Sequence, residues 1–407
     1  MPRYIKKSQR RRTSSQKKKS KQKSYKKGGN VLGKGTFGCV IRPNLPCINT
    51  NIDKGYISKL YDTEYYKDGN IKDDFMIVSN LKIKNMDGYD KHILIPIDSC
   101  NDFIINAIQP GILNSLEDID TCNLRGKIFT NIIQKYGGIS YDKFINNNDN
   151  LLLLLPYWCA LFEAIEFLNY NGIVHRDIKE NNITIESGNS LKLIDFGFAG
   201  PINEILINNS GNISITNPIY FYLYKDLLEA GYYHLPIELA IFRNLDINID
   251  ITKQIYSLDD IEFEIHNSYI ESYKKYWLMN SEINSYNINT FIEISDLVKR
   301  KDNIMNMNNI KSINDKIKEW IININKKIDV FQLGVLLKRE LDRLLLIDKN
   351  NEIVINELIK YVLNNMLNIN SYSRHNITEA YENFKKICID NGIDDIYLNS
   401  VNRDDII

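Results

Sequence analysis

Cysteine is sparse and scattered in this 407-residue chain, and the six residues Cys39, Cys47, Cys100, Cys122, Cys159 and Cys388 form no CxxC pair. That spacing argues against a zinc site or a disulfide scaffold and suits a reducing, intracellular and cytoplasmic setting. Long apolar runs are missing too. The longest purely aliphatic stretch, Leu151–Leu155, is far short of the roughly 20 residues that cross a bilayer, so no membrane partner is expected. No apolar segment follows the basic N-terminus, which removes the pattern of a secretory signal. Acid is absent where base is densest, because residues 1–27 hold thirteen Lys or Arg and no Asp or Glu. The formal net charge of zero therefore averages a basic arm with a body carrying 38 basic and 51 acidic residues.

What remains is ordinary globular material. A hydrophobic content of 43% with 25% charged residues is enough to bury a core, and the length suits two lobes or two domains. Residues 1–29 alternate Lys and Arg with Ser, Thr and Gln, cannot repay ordering by burial, and read as a disordered basic tail. Strand signals follow at Val31–Leu32, Val40–Ile41, Tyr56–Leu60, Ile93–Ile97, Phe103–Ile108 and Ile128–Ile133. One helical interruption is expected over Asp73–Lys84, where Phe75, Val78 and Leu81 recur at helical spacing. After Tyr136-Gly137-Gly138 the texture changes. Leu151–Tyr170 reads as a helix stopped at Asn171–Gly172, two short strands flank Ser187-Gly188-Asn189, and helices are expected over Val330–Leu346, Glu357–Leu367 and Thr378–Ile387. The abundance of Asn and Ile looks like coding bias.

Three short stretches carry chemistry. In Gly33-Lys34-Gly35-Thr36-Phe37-Gly38-Cys39-Val40 the glycines let backbone N–H groups approach phosphate oxygens. A dinucleotide-binding turn would run straight into a helix, whereas here Val40–Ile41 continues as strand and Pro43 and Pro46 follow. A glycine-rich hairpin without chemical import stays open for this motif alone. In His175-Arg176-Asp177-Ile178-Lys179-Glu180-Asn181-Asn182, an Asp and an Asn five residues apart can meet at one site. The carboxylate can orient an attacking hydroxyl and accept its proton, the amide oxygen can ligate Mg²⁺, and Lys179 can offset negative charge on a transferring phosphoryl group. An exposed charged loop is the bland alternative. In Leu193-Ile194-Asp195-Phe196-Gly197 a strand delivers an Asp, a hard donor for Mg²⁺, eighteen residues beyond Asp177.

In this order and spacing, the motifs resemble eukaryotic-type Ser/Thr protein kinases across roughly residues 30–390. The resemblance implies an α+β, bilobal fold: a small β-rich lobe with one main helix over residues 30–136, and a larger, mainly helical lobe over residues 137–390. It implies ATP and Mg²⁺ (or Mn²⁺), with Asp177 as catalytic base, Asn182 and Asp195 as metal ligands, and Lys179 marking Ser/Thr rather than Tyr specificity. Lys59, in Tyr56-Ile57-Ser58-Lys59-Leu60, falls where the family holds the α- and β-phosphates. Leu32, Gly33, Lys34, Gly35, Thr36, Phe37, Gly38 and Val40 correspond to the glycine-rich loop over the phosphates. Ile133, Gln134 and Tyr136 correspond to the segment against the adenine. Asp329 resembles the anchor that opens the central helix of the large lobe, and Pro236-Ile237-Glu238 the end of the activation segment. Arg374 resembles the arginine that pairs with that glutamate. Arg176 implies control by a phosphate on that segment, with Thr216, Tyr220, Tyr222 and Tyr224 as candidates.

Departures from the family pattern are specific. The acid expected to pair with Lys59 is a Glu in the family, and here the best-placed acid is Asp74, with Asp73 and Glu64 behind it. Asp195 to Glu238 spans 43 residues and Glu238 to Asp329 spans 91, so an insertion is expected at about residues 245–322, with helical pieces at Ile270–Met279, Phe291–Arg300 and Ile313–Ile322. Residues 391–407 form a C-terminal extension. The insertion, the Tyr-Ile-Ser-Lys-Leu strand and the Asn/Ile bias resemble viral kinases of large nucleocytoplasmic DNA viruses, which would place the chain in host cytoplasm, viral factory or virion. An AT-rich protist would show the same bias. For the tail, a solubilising arm, a nuclear-import or non-specific nucleic-acid patch, and a self-phosphorylation substrate all stay open. The rival to a kinase acting on protein Ser/Thr is a nucleotide-binding pseudokinase or scaffold.

Overall fold

The computed structural model describes residues 30–34, 38–47, 50–62, 74–104, 128–186, 190–203, 206–207, 213–214, 307–368 and 371–401. The basic tail, the 245–306 part of the insertion, the activation-segment candidates from Thr216 to Glu238, and Gly35, Thr36, Phe37, Glu64 and Asp73 lie outside them.

The N-terminal part is an antiparallel sheet of five strands in the order β1-β2-β3-β5-β4. These are β1 Asn30–Lys34, β2 Gly38–Arg42, β3 Tyr56–Asp62, β4 Pro96–Ile104 and β5 Ile128–Lys135. Strand β4 joins parts of two expected strands into one, bent by register shifts between Pro96 and Asp98 and between Cys100 and Phe103. Helix α1, Asp74–Asn80, is shorter than expected, and a 3₁₀ turn at Ile83–Asn85 follows it. It buries Asp74, Ile77 and Val78, the face that i, i+3, i+4 spacing places together. Helix α2, Tyr89–His92, leads to β4.

The C-terminal part is mainly helical. Its elements are β6 Ile139–Ser140, α3 Tyr141–Ile145, α4 Leu151–Tyr170, β7 Ile173–Val174, β8 Ile183–Glu186, β9 Ser190–Leu193, β10 Gly200–Pro201, α5 Met307–Ile347, α6 Glu352–Tyr361, α7 Ile377–Asp390 and α8 Asp395–Leu398. Helix α4 is long and apolar enough to cross a bilayer, yet 72% of its apolar window is buried inside the protein. It is the core helix of this part. Trp158, Phe162 and Leu168 are inaccessible, and Phe162 packs against Phe384 of α7 with ring centroids 5.1 Å apart. Pro156 inside α4 cannot donate to the carbonyl of Leu152. The hydroxyl of Tyr397 fills that vacancy at 2.7 Å, so the described part of the C-terminal extension packs on α4, with Leu398 and Val401 buried.

One sequence expectation changes. Helix α5 runs unbroken for 41 residues and absorbs the helical piece expected at Ile313–Ile322. Asn323 and Asn325 within it, weak helix formers, donate to Ser371 Oγ (3.1 Å) and to the carbonyl of Ile202 (3.1 Å), and these tertiary bonds override weak propensity. Cys47 and Cys100, far apart in sequence, are brought side by side, with Cα atoms 5.8 Å apart. They lie 53 residues apart, and only the fold of the β2–β3 connection over the sheet brings them together. Cys159 and Cys388 are free and buried.

The two parts are joined through α2 and β9. Leu94 N–H donates to Leu193 O at 2.9 Å, and Lys192 Nζ donates to the carbonyls of Asp90 and Lys91 at 2.6 and 2.7 Å. Such a cation satisfies C-terminal helix carbonyls. The His92 ring stacks on Phe167 of α4 at 5.2 Å. Burial first, then Lys91 and Lys192, hold that imidazole down to about 4 against the pull of Asp90. A base whose folded pKa lies below its unfolded value stabilises above the unfolded value and loses that contribution as pH falls. The window here runs from 6.5 down to about 4. His92→Phe should therefore flatten the acid limb of a melting-temperature profile across that window, and parallel profiles for variant and wild type would contradict the assignment.

Candidate active site

A cleft of 670 Å³ lies where the sheet meets β6, β8 and the residues after β9. It is lined by Leu32, Gly33, Gly38 and Val40 from the β1–β2 hairpin, Lys59 and Asp74, Gln134 and Tyr136, and Asp177, Lys179, Asn182 and Asp195. A second cavity of 770 Å³ between α4 and α7 holds none of these residues.

Strand alternation explains which side chains reach the cleft. Lys59 stands opposite Ile132, and Ile57 opposite Gln134, so residues 57 and 59 share a face with 132 and 134. Ile133 is opposite Ser58, whose hydroxyl accepts from Leu45 N–H on the far side at 2.8 Å. Its side chain therefore turns away from the cleft, which corrects its place in the expected adenine wall. Gly38 is demanded by backbone packing, because a Cβ there would lie 1.7 Å from the Leu60 carbonyl oxygen. Gly33 has open space around it. Lys34 is the last residue of β1.

The lysine and its acid come together as the helical phase requires. Lys59 Nζ lies 2.9 Å from Asp74 Oδ2 and 3.9 Å from Asp195 Oδ1. Both members of the first pair are buried, with side chains 7% and 3% exposed. Burial opposes the ammonium charge, but Asp195 and Asp74 outweigh it and the lysine pKa is raised. Asp195 sits in the left-handed region at φ 68° with its side chain 40% exposed. Desolvation works to raise its carboxyl pKa, while Lys59, Lys179, His175 and the Gly197 N–H together hold it below the ordinary range.

The loop after β7 is a second cluster. Asn182 Nδ2 donates to the Asp177 carbonyl at 2.9 Å and to Asp177 Oδ2 at 2.6 Å, and Lys179 Nζ reaches the same Oδ2 at 2.9 Å. With its amide nitrogen committed, Asn182 leaves its amide oxygen for a cation. Among the described residues no three His, Cys, Asp or Glu side chains cluster as a metal site. One amide oxygen and one carboxylate, Asp195, nevertheless suit Mg²⁺, which takes few protein donors and completes its shell with phosphate and water.

Sequence reasoning named Asp329 but missed how much it does and missed its partner Gln332. The buried Asp329 carboxylate accepts from His175 N–H at 2.8 Å and Arg176 N–H at 2.7 Å. One turn on, Gln332 accepts from Ile178 N–H at 2.9 Å and donates to the Arg176 carbonyl at 2.8 Å. The only signal was an Asp and a Gln at i, i+3 in the otherwise apolar stretch Ile328–Leu337. Burial raises the Asp329 pKa, against His175, the two N–H donors and the Arg176 charge. His175 Nδ1 accepts from Asp177 N–H at 3.3 Å, so Nε2 carries the proton given to the Ile194 carbonyl at 3.1 Å. Arg374 is buried, donates to Asn368 O, and lies 4.9 Å over the Phe331 ring.

Residues 135–211 match the protein kinase domain family model. Among relatives, the chain is 30% identical over 110 residues to a probable serine/threonine-protein kinase of Clostridium acetobutylicum, covering 27% of this chain and 15% of that protein. It is 30% identical over 128 residues to serine/threonine-protein kinase CST20 of Candida albicans, covering 30% and 10%. With mitogen-activated protein kinase kinase kinase A of Dictyostelium discoideum the figures are 26% over 181 residues, covering 43% and 17%. The matches thus span less than a fifth of each relative's length.

Breaking a buried ion pair from one side costs roughly 3 kcal/mol or more, because a desolvated charge is stranded. Asp74→Ala should destabilise the protein by about that much in denaturant unfolding, and adding Lys59→Met should recover part of the loss. Additive effects would show that the pair is not coupled. The stretch over residues 135–211 is thus similar to a protein kinase domain, and the relatives it resembles in part are Ser/Thr protein kinases.

Proposed function

We propose that the chain is an ATP-dependent protein kinase that transfers the γ-phosphoryl group directly to Ser or Thr hydroxyls of proteins. The observation that carries this reading is one cleft bringing together the Lys59–Asp74 pair, Asp195 and the Asp177–Lys179–Asn182 cluster. Between the sheet and the helical part, nucleotide phosphates fit under the β1–β2 hairpin. Lys59, held by Asp74, contacts the α- and β-phosphates. Asn182 and Asp195 would hold Mg²⁺, which when bound neutralises charge on the β- and γ-phosphates. Asp177, oriented by Asn182, accepts the proton of the attacking hydroxyl, and Lys179 offsets charge on the γ-phosphoryl group. Loose phosphoryl-transfer transition states need little covalent help, so positioning and electrostatics account for most of the rate.

A pseudokinase would be expected to lack one of these groups, and each described one is in place. The basic tail fits a self-phosphorylation substrate, with Arg10-Arg11-Arg12-Thr13-Ser14-Ser15 as the segment. Non-specific nucleic-acid contact through its cations would weaken steeply with salt.

The test is label transfer from radiolabelled ATP with Mg²⁺ to the protein itself and to basic and acidic protein substrates. Wild type should transfer label, and Asp177→Asn should lower the rate by at least about a hundredfold. Absence of transfer by wild type with any divalent ion would sink the enzyme reading.

A further inference from the structure

The connection between β2 and β3 is built rather than slack. Thr50 Oγ1 donates to Asp98 Oδ2 at 2.6 Å, Leu45 N–H donates to Ser58 Oγ at 2.8 Å, and Cys47 lies against Cys100 on β4. Inside the connection, Asn44 Nδ2 donates to the Asn51 carbonyl at 3.0 Å and Asp53 N–H donates to Asn44 Oδ1 at 2.7 Å. The segment is thereby fastened over the face of the sheet turned away from the cleft.

Its two ends converge on one residue. The Arg42 guanidinium lies 3.7 Å from the centroid of the Tyr136 ring, while Arg42 Nε donates to the Lys54 carbonyl at 2.8 Å. At the other end, Gly55 O accepts from Tyr136 N–H at 2.8 Å. Tyr136 lines the cleft just beyond β5, and Arg42 ends the strand whose Gly38 and Val40 line it from above. Nothing in the sequence motifs singled Arg42 out. The planar guanidinium suits the place, because it can stack on an aromatic face and donate in its own plane at once, which a lysine ammonium cannot.

We propose that Arg42 is a positioning residue for the nucleotide: it fixes the distance between strand β2 and Tyr136, and so the width of the cleft where the base is held. It acts through Tyr136 and touches no reacting atom. The inference rests on the kinase reading for the identity of the ligand, and it predicts a loss of nucleotide affinity without a loss of turnover.

The experiment uses the full chain with ATP and Mg²⁺, measuring ATP binding by calorimetry, kcat and KM for ATP by initial rates, and melting temperature alongside. Arg42→Ala should raise the ATP Kd and KM about fivefold, from the strength of a partly exposed cation–π contact, with kcat within about twofold. Arg42→Lys keeps the charge and loses the in-plane bond, so it should fall between wild type and Arg42→Ala, and it serves if the alanine variant does not fold. ATP affinity unchanged in both variants would overturn the proposal while leaving the kinase reading intact. A fall in kcat that follows the melting temperature, with KM constant, would also overturn it. Wild type that binds no ATP would overturn both. Wild type whose ATP affinity responds to Arg42 but which transfers no phosphoryl group would support the proposal and sink the kinase reading.

Discussion

The buried carboxylate of Asp329 is the constraint on which the site depends. Two consecutive backbone N–H groups of the loop after β7, from His175 and Arg176, end on its two oxygens. Arg176 lies at φ 66°, in the left-handed region that an arginine rarely adopts and that costs about 1 kcal/mol or more. Helix α5 imposes that turn with four hydrogen bonds, two from Asp329 and two from Gln332. From the turn, the chain sends Asp177 into the cleft and returns to place Asn182 against it. The same rigidity reaches Asp195, because Ile194 N–H donates to the Asn182 carbonyl at 3.0 Å and His175 Nε2 donates to the Ile194 carbonyl. Both halves of the proposed metal site therefore hang from one helix.

The charges in the cleft are arranged as opposed pairs. Lys59 is shared between Asp74 and Asp195, and Lys179 is held by Asp177. Each cation is thus kept beside the place where phosphate charge would enter. The short Asp74 side chain reaches Lys59 because α1 offers it from its first turn.

Much of the site was legible because its residues are near one another in sequence. Asp177, Lys179 and Asn182 fall within six positions and needed only a loop to meet. Asp74 could be preferred to Asp73 and Glu64 because apolar residues follow it at helical spacing, and Ile77 and Val78 are indeed buried with it. Ile133 was misplaced because a strand's facing depends on register with its neighbours, and one step along β5 moves a side chain to the opposite face. The length of α5, the meeting of Cys47 with Cys100 and the Tyr397 hydroxyl on Leu152 O all depend on contacts across many residues. No local pattern announces such contacts. Arg42 and Gln332 belong to the same class, since their importance lies in what they touch.

Helix α5 holds the loop that carries Asp177, the proposed base, in one shape, and Asp329→Asn probes that hold. Asparagine has nearly the same size but offers one acceptor oxygen where the loop presents two N–H donors, so one buried donor would face an amide NH₂. Steady-state kinetics of the folded variant should show kcat lowered at least about tenfold, the equivalent of some 1.4 kcal/mol, with ATP affinity within about twofold of wild type. A folded Asp329→Asn protein with wild-type kcat would show that the loop does not depend on this carboxylate.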